Sequence, residues 1–99
     1  MNVNIRYVNV DASETLNTFT EEKLSKLFNR YEFLIGATVR FKQDENNHTK
    51  GKICDIELSL PGPRIFATSD EAKYEVAVRE TIKDLERQLK KRKQVFKTH

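Results

Sequence analysis

Two different apolar rhythms divide this chain, and together they leave few folds open. From Ala37 to Thr68 apolar side chains recur at every second position within short runs, whereas from Leu16 to Tyr31 and from Tyr74 to Leu89 they recur at helical spacing. Period two marks a strand with one buried face; a period near 3.6 marks a helix with one buried stripe. Ala37, Val39 and Phe41 alternate with Thr38, Arg40 and Lys42, and Cys54, Ile56, Leu58 and Leu60 alternate with Asp55, Glu57 and Ser59. Asp44 to Gly51, between the two runs, is polar and ends in glycine, as a hairpin loop does. Pro61-Gly62-Pro63 is a turn, in which proline sets φ and glycine supplies a positive φ, and Arg64 to Thr68 follows as a short strand with Ile65 and Ala67 on one face.

The chain opens on a further strand, Asn2 to Asn9, with Val3, Ile5 and Tyr7 on one face and Asn4 and Arg6 on the other. Asp11 and Glu14 have the spacing of a capping box, with Ser13 as the alternative cap. Leu16, Phe19, Leu24, Leu27, Phe28 and Tyr31 then recur at helical spacing, giving a first helix that runs to about Arg30. Ser69 or Asp70 can cap a second helix, whose stripe of Tyr74, Ala77, Val78, Ile82, Leu85 and Leu89 falls within about 140° of arc. Carried to Lys93 or beyond, that helix is roughly 36 Å long, while a strand of five or six residues spans only about 17–20 Å. The stripe stops at Leu89, so the end of the helix is expected to overhang the sheet as an arm with nothing to pack on.

The element order is therefore β-α-β-β-β-α. Short loops make the three-strand meander antiparallel, and a helical crossover brings the first strand in parallel. The expected fold class is α+β: a two-layer sandwich in which a four-stranded sheet carries both helices on one face. The other face, with Asn4, Arg6, Arg40, Lys42, Asp55 and Glu57, is expected to be wet. Ninety-nine residues make one domain, 1–99. A chain of this size buries roughly two-thirds of its unfolded surface, enough for one modest core.

Charge is distributed unevenly. Arg87, Lys90, Lys91, Arg92, Lys93 and Lys97 are six cations in the last thirteen residues, with no acid among them; twelve basic and fifteen acidic residues precede them. A mildly acidic body with a cationic arm, 87–99, is a footprint for a polyanion. One or two cations suit a helix C-terminus; six exceed that need. Lys23, Lys26 and Arg30 share one flank of the first helix, and Arg79, Lys83, Arg87 and Lys90 lie away from the apolar stripe of the second. Since both helices lie on the same side of the sheet, the two sets extend one positive surface.

Other chemistries lack their residues. His48 lies in a polar loop and His99 at the C-terminus, neither at metal-ligand spacing. Cys54 falls on an apolar strand face, where a buried, inert thiol is expected. Gly36, Gly51 and Gly62 form no phosphate loop. No catalytic residue, metal, cofactor or small-molecule substrate is expected. The N-terminus has an arginine within a short strand pattern and is not read as a signal peptide, and no run approaches a membrane span. With one cysteine, the expectation is a soluble cytoplasmic protein.

A membrane partner would need large apolar anchors on the basic helix, and past Leu89 only Val95 and Phe96 qualify. Single-strand binders lay bases on exposed sheet aromatics, and the outward positions here are polar except for Phe66. Helix-borne cations suit phosphates and structured RNA. The expected RNA-binding set is Lys23, Lys26, Arg30, Arg79, Lys83, Arg87, Lys90, Lys91, Arg92, Lys93 and Lys97.

The end of the second helix, Leu85-Glu86-Arg87-Gln88-Leu89-Lys90-Lys91-Arg92-Lys93 with Lys97 and His99, resembles the basic ending of the short ribosome hibernation promoting factors. Ile56 to Thr68, Asn4-Ile5 and Glu14-Thr15-Leu16 also fit, so the likeness covers the whole chain in order. It implies a β-α-β-β-β-α domain that binds the small ribosomal subunit in the channel for messenger and transfer RNA and idles ribosomes. Arg87, Lys91 and Lys93 match the family's basic motif and would contact ribosomal RNA. The chain departs from the family at Lys73, Glu75 and Arg79, where an acid–aromatic pair and a later Asp are usual, and at Arg92, where His is usual. It is also expected to lack the long form's linker and dimerisation domain and to be monomeric off the ribosome. Two rivals stand beside this reading. One is a regulatory adaptor docking its basic helix on an acidic protein; the other, a small acylphosphatase-like enzyme, needs a second βαβ half that the meander displaces.

Overall fold

The computed structural model describes residues 2–97; His99 lies outside them. In chain order the elements are β1 (Asn2–Tyr7), α1 (Glu14–Arg30), β2 (Gly36–Gln43), β3 (Lys52–Ser59), β4 (Ile65–Glu71) and α2 (Tyr74–Lys97). The sheet runs β1-β2-β3-β4 in space, with β1 parallel to β2 and the other pairs antiparallel. Helix α2 lies over β3 and β4, and α1 lies beside α2. This is the expected two-layer sandwich, with β1 delivered to the edge next to β2.

Register aligns the apolar rows of β1, β2 and β3 on the helical side. Val3, Ile5 and Tyr7 pair with Ala37, Val39 and Phe41, which in turn pair with Leu58, Ile56 and Cys54. A slip of one residue would turn this whole row to water. Val39, Phe41, Cys54, Ile56 and Leu58 are fully buried, as are Leu24, Val78, Leu85 and Leu89 from the helices. Phe41 anchors one end of the core, stacked on Tyr7 at 5.2 Å and meeting Tyr74 edge-on at 5.4 Å. Both tyrosines use their hydroxyls to fasten neighbouring backbone. Tyr7 reaches the Ser13 carbonyl (3.0 Å) and Asn17 Oδ1 (2.7 Å), and Tyr74 donates to the Lys42 carbonyl at 2.8 Å.

Polar groups inside are satisfied locally. Thr20 and Thr81, both fully buried, donate to the carbonyls four residues back in their helices at 2.8 and 2.7 Å. On the open face of the sheet Asp55 is 7% exposed, not wet as expected. It accepts from Thr68 Oγ1 and pairs with Lys42 Nζ at 2.6 Å, and these two neighbours cover it.

Three local expectations are corrected. At the start of α1 the cap is Ser13, not Asp11: its hydroxyl accepts from the Leu16 amide at 3.2 Å. At the start of α2 neither Ser69 nor Asp70 caps. Strand β4 continues through both to Glu71, paired with Lys52 to Cys54, and the first turn of α2 closes on the Lys73 carbonyl. Asp70 instead accepts from the Gly51 amide at 2.6 Å, locking the β2–β3 loop to β4. Finally, the arm does have something to pack on. Phe96 meets Phe33 edge-on at 4.9 Å, and Lys93 lies over Tyr31, because the connection from α1 to β2 folds back beneath the last turns of α2.

Two substitutions test these supports. Leu89→Ala removes a fully buried side chain at the end of the apolar stripe and is expected to cost about 3 kcal/mol, seen as a lower urea midpoint with an unchanged slope. Gly51 has φ +116°, and a Cβ there would stand 2.6 Å from the Asp44 carbonyl oxygen. Gly51→Ala should therefore cost about 1–2 kcal/mol, whereas Gly36→Ala, at an ordinary φ but with a Cβ 2.9 Å from the Asn2 carbonyl oxygen, tests steric crowding between β1 and β2 alone.

Candidate nucleic-acid interface

The apolar stripe of α2 faces β3 and β4, which fixes where its cations point. At 100° per residue, Arg79, Lys83, Lys90 and Lys97 fall within about 40° of one another, on the side of α2 that faces α1. Of these, Arg79 and Lys83 meet Lys23, Lys26 and Arg30. A groove of about 550 Å³ runs between the helices, walled by these three, by Arg79 and Lys83, and by Glu86, with Leu27 and Ile82 along it. Five of the expected cations, from residues far apart in the chain, thus share one concavity.

Like charges held this close repel, and the groove contains the means of holding them. Lys23 Nζ and the Arg79 guanidinium both lie over the ring of Phe19, at 5.4 and 5.5 Å from its centroid. The negative ring face attracts each cation, so one aromatic seats a charge from each helix. Across the groove Arg30 donates to Glu86 at 2.9 Å. Both groups are partly exposed, so the pair adds little stability; its effect is to orient Arg30. Lys83 pairs with Glu80 at 3.0 Å and Arg87 with Asp84 at 3.6 Å, each within one turn. Arg87, at the head of the basic run, therefore has an acidic neighbour that counting forward from it does not reveal.

Beyond Glu86 no acid remains in the sequence. Lys90, Lys91, Lys93 and Lys97 surround a second hollow beside Tyr31. Arg92 departs from this set. It lies on the other flank of α2, partly buried, and donates to the Pro61 carbonyl at 3.1 Å, over Gly62. With Gln88, which donates to the Phe66 carbonyl at 3.0 Å, it ties α2 to the β3–β4 turn and the edge strand. The sheet's open face carries Phe66, about half exposed, among polar neighbours.

The residues that sequence reading missed are the aromatics under the charges. Phe19, placed in the apolar stripe of α1, is also four residues before Lys23, a spacing that brings two side chains together on a helix. Glu86 carried no comparable signal, since its partner Arg30 lies on the other helix. Among the described residues no group of three His, Cys, Asp or Glu is placed to hold a metal ion, and no helix is long and apolar enough to cross a membrane.

Fold and surface together define a small two-layer α+β domain whose helical layer gathers Lys23, Lys26, Arg30, Arg79 and Lys83 around one groove and Lys90, Lys91, Lys93 and Lys97 around another. The chain belongs to the family described as Sigma 54 modulation protein / S30EA ribosomal protein, whose model matches residues 3–97. It is 32% identical over 92 residues to the ribosome hibernation promotion factor of Deinococcus radiodurans, an alignment covering 91% of this chain and 46% of that protein. The chain thus spans about half the length of this relative. Its fold matches a ribosomal subunit interface protein from Coxiella burnetii, with a TM-score of 0.84, 29% identity and coverage of 95% of this chain and 99% of that one. It also matches the N-terminal domain of Thermus thermophilus Protein Y, with a TM-score of 0.78, 24% identity and coverage of 92% and 98%; that likeness concerns the fold.

Cys54 stands apart from the interface, fully buried beneath α2. Burial pushes its thiol from an ordinary 9.0 up to about 12, against a smaller opposing effect of the Thr81 hydroxyl. Two outcomes follow. A thiol reagent at pH 8 should leave the native protein unmodified and label it on unfolding in urea. Because the folded value lies above the unfolded one, the thiol's contribution to stability is intact below about pH 9 and is lost progressively as pH rises from there towards 12. Cys54→Ser should remove that part of the alkaline loss, read from urea midpoints across the alkaline range.

Proposed function

We propose that this chain is a ribosome-binding hibernation domain that acts in the cytoplasm without catalysis. On this reading its helical face holds small-subunit ribosomal RNA, and the body of the domain blocks the path of messenger and transfer RNA. The observation that carries the proposal is the groove between α1 and α2, where Lys23, Lys26, Arg30, Arg79 and Lys83 converge, continued by Lys90, Lys91, Lys93 and Lys97 along α2. Family membership supplies the ribosome as the polyanion, and the names of the two functional relatives, a hibernation promotion factor and a subunit interface protein, agree with it.

The chemistry is electrostatic and steric. Cations along two parallel edges of a groove suit the phosphates of folded RNA, which they recognise by shape instead of base sequence. The sheet beneath gives the helices a rigid base, so the bound domain obstructs by volume. No reacting group is needed. The domain works as a monomer, and its arm, 87–99, extends the contact beyond the groove.

Phosphate contacts have a measurable signature. If about five phosphates are neutralised, ribosome affinity should fall with salt on a log–log slope of about −4. Replacing Lys83, Lys90 and Lys91 together with Ala should flatten that slope by about two units and weaken binding at least ten-fold near 0.1 M salt, by roughly the loss of counterion release, with the circular dichroism spectrum unchanged. Arg92→Ala, on the other flank, should shift the slope by less than about half a unit. A triple variant with wild-type affinity and slope would remove the helical face from the interface. Binding that survives nuclease digestion of the RNA would move the assignment to an acidic protein partner.

A further inference from the structure

Where α1 ends, a separate cleft of about 430 Å³ opens beside the cationic stripe. Its floor is aromatic. Phe33 and Phe96 meet edge to face at 4.9 Å, and Tyr31 tilts against Phe33 at 6.0 Å. The contact does not close over the rings: Phe96 keeps 39% of its surface exposed, and Phe33 is only half-buried. The rim is charged and polar. Lys93 Nζ and the Arg30 guanidinium each lie 5.9 Å from the Tyr31 centroid, and Glu32 and Asn29 complete the lining.

Open ring faces beside cations that track a backbone are the two elements of a site for an unstacked base. The sheet lacks them, but this cleft has them, next to the cationic face. The mixed rim selects among ligands. Arg30 and Lys93 on the rim can hold a phosphate, and the amino groups of a neutral nucleobase can donate to Glu32 or to the Asn29 side-chain oxygen.

We propose that the cleft takes one splayed nucleobase of the RNA held by the cationic face. The base lies against Phe33 and Phe96, with its phosphate on Lys93 or Arg30. This rests on the ribosomal RNA reading and adds a contact of a different physical kind. A stacked base releases no counterions, so it strengthens binding without steepening the salt dependence.

The experiment has two arms. In the first, the full chain with labelled aromatic rings is titrated by NMR with adenosine 5′-monophosphate and, separately, with ribose 5-phosphate, which has the same sugar and phosphate but no base. The nucleotide should shift the ring signals of Phe33 and Phe96, and ribose 5-phosphate should not; equal shifts, or none, would overturn the cleft assignment. In the second, ribosome affinity is measured for two variants across a salt series. Phe96→Leu keeps an apolar side chain but loses the ring face, and should weaken binding about ten-fold with the slope unchanged, the size of one base–aromatic contact. Phe96→Tyr keeps the ring and should bind as the wild type does. Wild-type affinity in Phe96→Leu, or a flattened slope from a displaced arm, would also overturn the proposal. The first arm uses no ribosome. A wild-type chain that fails to bind ribosomes therefore defeats the functional reading, whereas absent base-specific shifts defeat the cleft alone.

Discussion

The burial of the α2 stripe on β3 and β4 is the constraint from which the rest follows. Val78, Leu85 and Leu89 have no exposed surface, and Ala77 and Ile82 are buried with them. A helix pinned along that line cannot rotate, so the azimuth of every other side chain on it is set. Arg79, Lys83, Lys90 and Lys97 must then face α1, while Gln88 and Arg92 must face the β3–β4 turn. The cationic face thus follows from apolar packing on a different side of the same helix.

That arrangement carries an electrostatic cost. Five cations line the groove against the single carboxylate of Glu86. The Phe19 ring offsets part of the repulsion by seating Lys23 and Arg79, and the Arg30–Glu86 pair offsets another part. A polyanion would relieve the remainder, which is why a site that is uneasy alone is favourable when occupied. On the other face, Asp55 is enclosed by Lys42 and Thr68, and Glu57 is paired with Arg64 at 2.7 Å. The sheet face pairs Lys42 and Arg64 with strand carboxylates, whereas the helical face pairs Arg30, Lys83 and Arg87 with helix carboxylates and gathers Lys23, Lys26 and Arg79 beside them in one groove.

Element order was legible in the sequence because it rests on local periodicity, and the antiparallel meander and the placement of both helices on one face followed from short loops and apolar stripes; the partner of β1, which the structure places beside β2, was left open. Val39 and Phe41 in β2 and Ile56 and Leu58 in β3 mark buried faces whatever the rest of the chain does. Boundaries were less legible where two local signals compete. Ser69 and Asp70 are good caps, yet pairing with β3 and the bond from Gly51 to Asp70 keep both in the strand. The contact between Phe33 and Phe96 was not legible at all, since nothing in either segment names the other. The cations of each helix could be grouped in the sequence, but their convergence depends on how α1 lies against α2, which periodicity does not specify. Arg92 shows the converse: a cation inside a basic run whose nearest partner is a backbone carbonyl.

The central claim is that the helical layer, not the sheet, faces ribosomal RNA, and the buried Cys54 makes it directly testable. Since that thiol is inaccessible, a single cysteine introduced on either face can carry a hydroxyl-radical source that cleaves nearby RNA. Probes at Lys90→Cys on α2 and at Thr68→Cys on the open sheet face would be bound in turn to small ribosomal subunits. Strong, localised cleavage of small-subunit RNA from position 90, with weak cleavage from position 68, is the result predicted. Localised cleavage from position 68 with none from position 90 would place the sheet against the RNA and contradict the account.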